Sequence, residues 1–317
     1  MTSDGAGLAK MALPGYMRWL PDAALKKLGR IEFLAHGTVD GFIAGRHKSA
    51  RKGASAEFAE HRAYVPGDDL RNLDWKLVAR RQRLYVKQYV DETNLRATVV
   101  LDASGSMAYR GRSAADRLSK LEYGQYIAAS LAYLLVNQQD AVGFVSYDTE
   151  IRDLVPAKAE PSQVRCILER LDALKPGGET DMAGVLHEVA ERIPRRSVVF
   201  LVSDFFSDGQ SLLKALHHLR FRHHEVIAIQ VCDHDELTFP FERISRFEDL
   251  ETRQTFDVDA RALRADYLAR LNAHFAELAR GCGEMRITHE RADTSRPFHE
   301  TLSDILVRYR RTAGGGR

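Results

Sequence analysis

From residue 96 onward the chain alternates short, continuously apolar runs with segments whose apolar residues recur every three or four positions. That alternation leaves few folds open. Residues 97–101 and 198–202 are apolar on both faces, and 142–147 and 226–231 are nearly so. Strands of this kind must be covered on both sides, as happens in a parallel sheet whose crossovers are helices. The intervening stretches supply them. Leu121, Ala128, Leu131 and Leu135 mark one side of a long helix over 118–138, and Val164, Ile167, Leu168 and Leu171 mark another. Val185, Leu186, Val189 and Ile193 mark a third, and Leu212, Leu216 and Leu219 a fourth. A hairpin is expected over 246–258, a helix through Leu263, Tyr267, Leu271, Phe275 and Leu278, a last strand over 285–289 and a last helix over 298–309. The expected fold is α/β: a doubly wound, mostly parallel, Rossmann-type sheet over residues 96–310, with a disordered tail over 311–317.

Residues 1–95 read differently. Leu25, Leu28, Ile31 and Leu34 predict a helix within 22–45, and 46–95 mixes Gly, Pro and charge with short β-like runs such as 84–86. We read 1–95 as a helical and β-rich extension packed on the main domain. The whole chain is compositionally ordinary: 317 residues, 44% hydrophobic, 28% charged, mean hydropathy −0.33 and net charge +2. That balance excludes a fibrous or disordered chain and gives no overall pull toward nucleic acid or anionic lipid. The N-terminus has no unbroken apolar region, and the longest apolar runs fall short of the roughly 20 residues that span a bilayer. Cys166, Cys232 and Cys282 are far apart and odd in number, which predicts thiols rather than disulfides. A cytoplasmic protein without a membrane span is expected.

Ligands of open α/β sheets bind outside the carboxyl ends of the strands. Three loops there carry oxygen donors. One strand ends in Asp102-Ala-Ser104-Gly-Ser106, another in Ser203-Asp204, and Gly177-Gly178-Glu179-Thr180-Asp181 opens a helix. Hard cations take oxygen ligands and, for Mg²⁺, keep several waters. Asp102, Ser104, Ser106, Thr180 and Asp204 suit Mg²⁺, or Mn²⁺ or Ca²⁺ in its place. The plain alternative is helix capping by Ser106 and Thr180, with Asp102 holding loop amides. Asp181 reads equally as an acceptor behind the ligands and as a helix N-terminal acid.

In order and separation these residues resemble the metal-ion-dependent adhesion site (MIDAS) of von Willebrand factor A domains, a likeness covering residues 96 to about 310. The resemblance implies that Ser104 and Ser106 ligate the metal directly. Thr180 would do so directly or through water, and Asp102 and Asp204 mostly through water. A carboxylate from a partner protein would complete the shell. A second string resembles the bacterial domain-of-unknown-function 58 family: Glu57-Phe58, Arg62-Ala-Tyr64, Pro66-Gly67-Asp68-Asp69, Arg71, Asp74-Trp75-Lys76, Ala79-Arg80 and Leu84-Tyr85-Val86-Lys87. That resemblance implies a companion of MoxR-type AAA+ ATPases, acting with the ATPase and its protein cargo in assembly or maturation. The expected function is a non-enzymatic, metal-dependent protein–protein interaction module and adaptor.

Physically, Asp68, Asp69 and Asp74 lie among Arg62, Arg71 and Arg80, which predicts a fold-stabilising network, and Trp75 reads as a core anchor. Residues 46–87 hold eleven Lys/Arg against five acids. This is a solvated face or, alternatively, a nucleic-acid contact. The interspersed acids and missing exposed aromatics argue against the latter. A metal-dependent hydrolase is the other alternative. A phosphatase starting from Asp102 would need an acid two residues on, where Ser104 stands, and no nucleophile elbow, P-loop or HExxH occurs. His217-His218 and His223-His224 read as solvated surface.

Overall fold

The computed structural model describes residues 18–21, 56–65, 73–75, 77, 83–91, 95–112, 117–251 and 253–314. The helix expected within 22–45 and the Asp68, Asp69, Arg71 and Arg80 network lie outside the described residues. The chain divides into two compact units, residues 42–94 and the remainder.

In the smaller unit β1 (Ala56–Ala63) pairs antiparallel with β2 (Tyr85–Asp91), and Leu73 bridges to Val86. Strand β2 takes up the β-like run at 84–86 and continues to Asp91. Trp75 is not a core anchor: it is 65% exposed, and Leu73 and Val86 are buried instead.

The larger unit is built on six strands: β3 (Arg96–Asp102), β4 (Ala141–Tyr147), β5 (Ile151–Lys158), β6 (Val198–Ser203), β7 (Glu225–Cys232) and β10 (Thr288–Asp293). Their order is β10-β7-β6-β3-β4-β5. All neighbours are parallel except β4 and β5. Apolar β3 and β6 lie side by side in the middle, buried along almost their whole length. Strand β5 alternates half-buried and exposed residues and carries Pro156, both compatible with an edge position. Strands β8 (Ile244–Glu248) and β9 (Thr255–Asp259) form the expected hairpin as a separate antiparallel ribbon.

Helices cover both faces. One face takes α1 (Lys120–Asn137), α2 (Pro161–Ala173) and α7 (Phe298–Gly314), through Leu121, Ile127, Leu131, Ile167, Leu171, Leu302 and Ile305. The other takes α3 (Met182–Arg192), α4 (Gly209–Phe221) and α6 (Ala260–Glu284), through Val185, Val189, Leu212, Leu216, Leu278 and Cys282. Between β7 and the hairpin runs the short helix α5 (His234–Thr238). Helix α1 is buried nearly all round, as its mostly apolar surface requires. A capping box starts it: Ser119 accepts from the Glu122 amide, and Glu122 accepts from the Ser119 amide.

The sheet is therefore doubly wound with a von Willebrand A-like, Rossmann-type strand order. From β3 the chain steps outward to β4 and β5, then crosses back to β6 on the other side. The carboxyl ends of β3 and β6 part at this reversal, where such sheets hold ligands. The last strand begins at Thr288 rather than 285, because α6 continues to Glu284 and Ile287 packs into the core before pairing starts. His224 is not surface. It is fully buried, accepts a bond from the Ser197 amide, and burial lowers its pKa.

Candidate metal centre

Asp102 ends β3, and its side chain is spoken for at both oxygens. Oδ1 accepts the Ser104 amide at 2.9 Å, and Oδ2 accepts the Ser203 hydroxyl at 2.7 Å. The first bond folds the chain back on itself, so that Ser104 and Ser106 bring their hydroxyls to 3.1 Å of each other. A single 3₁₀ turn (Gly105–Ala108) follows, with no side-chain cap from Ser104. The second bond ties the end of β3 to the end of β6.

The Thr180 loop is joined to this turn through main chain. The Gly105 amide donates to the Gly178 carbonyl, and the Gly177 amide donates to the Ala103 carbonyl, both at 3.0 Å. Gly178 has φ +79°, a left-handed conformation suited to glycine, and a Cβ there would come within 3.0 Å of an Asp148 carboxylate oxygen. Asp181 caps α3 by accepting from the Gly184 amide, so of its two readings the helix N-terminal acid is the one seen. Thr180 does not cap. Its hydroxyl is buried and has no hydrogen-bond partner among the described residues.

Asp204, just beyond β6, accepts the Phe206 amide at Oδ1 and the Lys120 ammonium at Oδ2, 2.8 Å away. The Ser106 hydroxyl reaches the same carboxylate. Lys120 is only 1% exposed and also bonds to Glu236 at 2.7 Å. Glu236 in turn closes the capping box of α5 with Asp233. Beside it, Arg117 bonds to Asp235 at 2.8 Å and to Asp233 at 3.4 Å.

The charges follow from this burial. Burial, then the neighbouring Asp204 charge, pushes the Asp102 carboxyl up to about 6 against its hydrogen bonds. Burial also acts on Asp204, but the charge and hydrogen bond of Lys120 outweigh it and hold that carboxyl below the usual range. Burial opposes the Lys120 ammonium, yet Asp204 and Glu236 keep it protonated with a raised pKa. Burial, then the Asp204 charge, raises the Glu251 carboxyl on the β8–β9 turn, against the lowering influence of Ser106.

Four of the five anticipated residues are thus linked directly: Asp102 to Ser104, Ser104 to Ser106, and Ser106 to Asp204. Thr180 joins through the backbone bonds of its loop. Among the described residues no group of three or more His, Cys, Asp or Glu is placed to hold a metal. An orphaned buried hydroxyl, on a loop bonded through main chain to the loop of two adjacent serine hydroxyls, is donor chemistry suited to a small hard cation.

Sequence reasoning missed Lys120, Ser203 and Glu251. Lys120 did leave a trace, as a cation on the stripe that continues through Gly124, Ile127 and Leu131. Ser203 had only its place between Val202 and Asp204, and Glu251 had none.

The profile of the family described as "Protein of unknown function DUF58" matches residues 60–277. An uncharacterized protein of Mycobacterium tuberculosis is 28% identical over 269 residues, covering 82% of this chain and 82% of the relative, and one of Mycobacterium bovis matches to the same extent. Among solved structures, the conserved hypothetical protein BatB from Bacteroides thetaiotaomicron is similar at TM-score 0.43 and 16% identity, covering 68% of this chain and 98% of that one. The VWA domain of SpRpn10 is similar at TM-score 0.37 and 11% identity, covering 68% and 95%. Among the described residues no helix is long and apolar enough to cross a membrane. A profile match over more than half of its length makes this chain a member of the DUF58 family.

Proposed function

We propose that the β3–β6 reversal binds one divalent cation, Mg²⁺ or a similar ion, and that the chain uses it to bind other proteins without catalysing a reaction. The observation that carries the reading is the Thr180 hydroxyl, buried and unpartnered on a loop fastened to that of Ser104 and Ser106. A buried hydroxyl left unmet costs about 1–3 kcal/mol. A cation held by Ser104, Ser106 and Thr180 removes that penalty. Asp102 and Asp204 would act from behind, since each of their oxygens already accepts a bond from the protein. They fix the serine loop and supply negative charge, which Lys120 partly offsets at Asp204. When bound, the ion would offer a Lewis-acidic position to a carboxylate oxygen.

Catalysis finds no support in the residues around Asp102. The position two residues on is Ser104, whose hydroxyl faces Ser106 rather than a general base. The family resemblance extends the proposal to a partner: a MoxR-type AAA+ ATPase, for which this chain would be the adaptor toward protein cargo in assembly or maturation. The test is a pull-down with the full chain in Mg²⁺ and in chelator, with co-purifying proteins identified by mass. Retention of the ATPase in Mg²⁺ and its loss in chelator and in Ser104→Ala supports the adaptor. Equal retention in all three removes the metal from the contact.

A further inference from the structure

Helices α3 and α4 bring two histidines into contact. His187 of α3 and His218 of α4 face each other with their Nδ1 atoms 2.8 Å apart, ring centroids 5.0 Å apart and planes tilted by 41°. His187 is exposed, whereas His218, expected at the solvated surface, is half-buried. Glu191, one turn beyond His187 on α3, stands at the other nitrogen of His218, with Oε1 3.2 Å from Nε2. Its Oε2 meets the Arg222 guanidinium at 3.1 Å.

A neutral imidazole carries one N–H and one lone pair. The Glu191 carboxylate beside Nε2 of His218 favours the proton there, so the lone pair lies on Nδ1 and points at His187. Without a metal, a proton on Nδ1 of His187 holds the two rings together. That proton can shift to Nε2 of His187, and both Nδ1 lone pairs then aim at one centre. A carboxylate behind an imidazole nitrogen is also what fixes the tautomer and the ring orientation of a metal-binding histidine. Zinc takes nitrogen at about 2.0–2.1 Å in a tetrahedron, which sets two such nitrogens roughly 3.3 Å apart. The rings need to part by only about 0.5 Å to reach that spacing, and an exposed side chain has room to do so. Two cations nearby are each matched by an acid, Arg192 by Glu188 and Arg222 by Glu191.

We infer that His187 and His218 form a second metal site, for a transition ion such as Zn²⁺ or Cu²⁺, with Glu191 as the residue that positions His218. Imidazole nitrogen suits these ions, whereas Mg²⁺ takes oxygen. Two imidazoles make a smaller set than the three-residue groups absent among the described residues, so water fills the remaining positions. Helix α3 follows the Thr180 loop and α4 follows Asp204. The ion therefore clips together two helices that lead away from the β3–β6 reversal. The pair is independent of the oxygen donors there.

The experiment titrates the full chain with Zn²⁺ alone, in competition with a chromophoric chelator, after melting curves in chelator have shown each variant folded. His187→Gln and His218→Gln should each lose one bound Zn²⁺ or weaken it by about tenfold or more, and Glu191→Gln should weaken it by about tenfold. His217→Gln, at the exposed neighbouring position, and Ser104→Ala should bind as the parent does. With Cu²⁺, the electron paramagnetic resonance spectrum of the parent should show coupling to two nitrogens, and that of either histidine variant to fewer. If the parent binds no Zn²⁺, or if both histidine variants hold it as the parent does, the site is overturned. Loss of the ion in Ser104→Ala places it at the β3–β6 reversal and overturns the second site as well. Parent-like binding by Glu191→Gln overturns the positioning role.

Discussion

Lys120 and Asp204 form a buried ion pair with Nζ 2.8 Å from Oδ2, each side chain no more than 3% exposed. The ammonium answers one of the two acids that the serine loop depends on, and it anchors the start of α1 to the end of β6.

Removing one member of such a pair leaves the other buried and uncompensated, a loss of about 3–5 kcal/mol. Lys120→Met should therefore lower unfolding stability by that order in urea titration. Lys120→Met with Asp204→Asn should lose less than the sum of the two single losses, since the residues are in contact. Additive losses would mean that the pair contributes no coupling.

Thr180→Val separates the hydroxyl from the shape of the side chain. In chelator the variant should be as stable as the parent or up to about 1 kcal/mol more stable, because it removes an unpartnered buried donor. In Mg²⁺ the parent should melt higher than in chelator, and the variant should gain much less. An equal Mg²⁺ gain in both proteins would show that the Thr180 hydroxyl plays no part in holding the ion.

Gly105→Ala tests the contact of the β8–β9 turn with the serine loop. The added methyl would sit 2.7 Å from the Leu250 carbonyl oxygen, so the turn must shift, at a cost of about 1–3 kcal/mol. A lower melting temperature and faster proteolytic cutting within 249–254 are expected. Unchanged cutting would mean that the turn is not seated on Gly105.

His289 gives the pH response a sign. Burial, then the neighbouring charges of Arg291 and His274, lowers its pKa from 6.5 to about 4 in the folded chain. The ring also contacts Gln230 and the Phe205 face. Between those two pH values the unfolded chain binds the proton and the folded chain does not. The His289 contribution is therefore full above pH 6.5 and is lost as pH falls toward 4, on the order of 3 kcal/mol. The difference in stability between the parent and His289→Gln should shrink by that order between pH 7 and pH 4. A difference that stays constant with pH would show that His289 titrates normally.

The sheet was legible because β3 and β6 are apolar on both faces, which only a doubly covered strand tolerates. Strand β5 escaped notice, since an edge strand with alternating exposure and a proline carries little apolar signal. Strand β1 did too, because AEFAEHRA is largely polar. Trp75 misled because size favours burial without guaranteeing it. That Asp102, Ser104, Ser106 and Asp204 gather at one sheet edge was readable from topology, since the reversal between β3 and β6 brings their loops together. Lys120 was hidden by its charge: a lysine at the first turn of a helix ordinarily reads as solvated, and only its place on the apolar stripe betrays a buried pair. Glu251 arrives from a hairpin distant in sequence, and no local pattern encodes which turn covers which loop.

The two main-chain clasps, Gly105 to Gly178 and Gly177 to Ala103, do not depend on any side chain. Replacing Ser104, Ser106 or Thr180 should leave both clasps in place, so the proposed cation ligands can be exchanged one at a time without dismantling the frame that presents them.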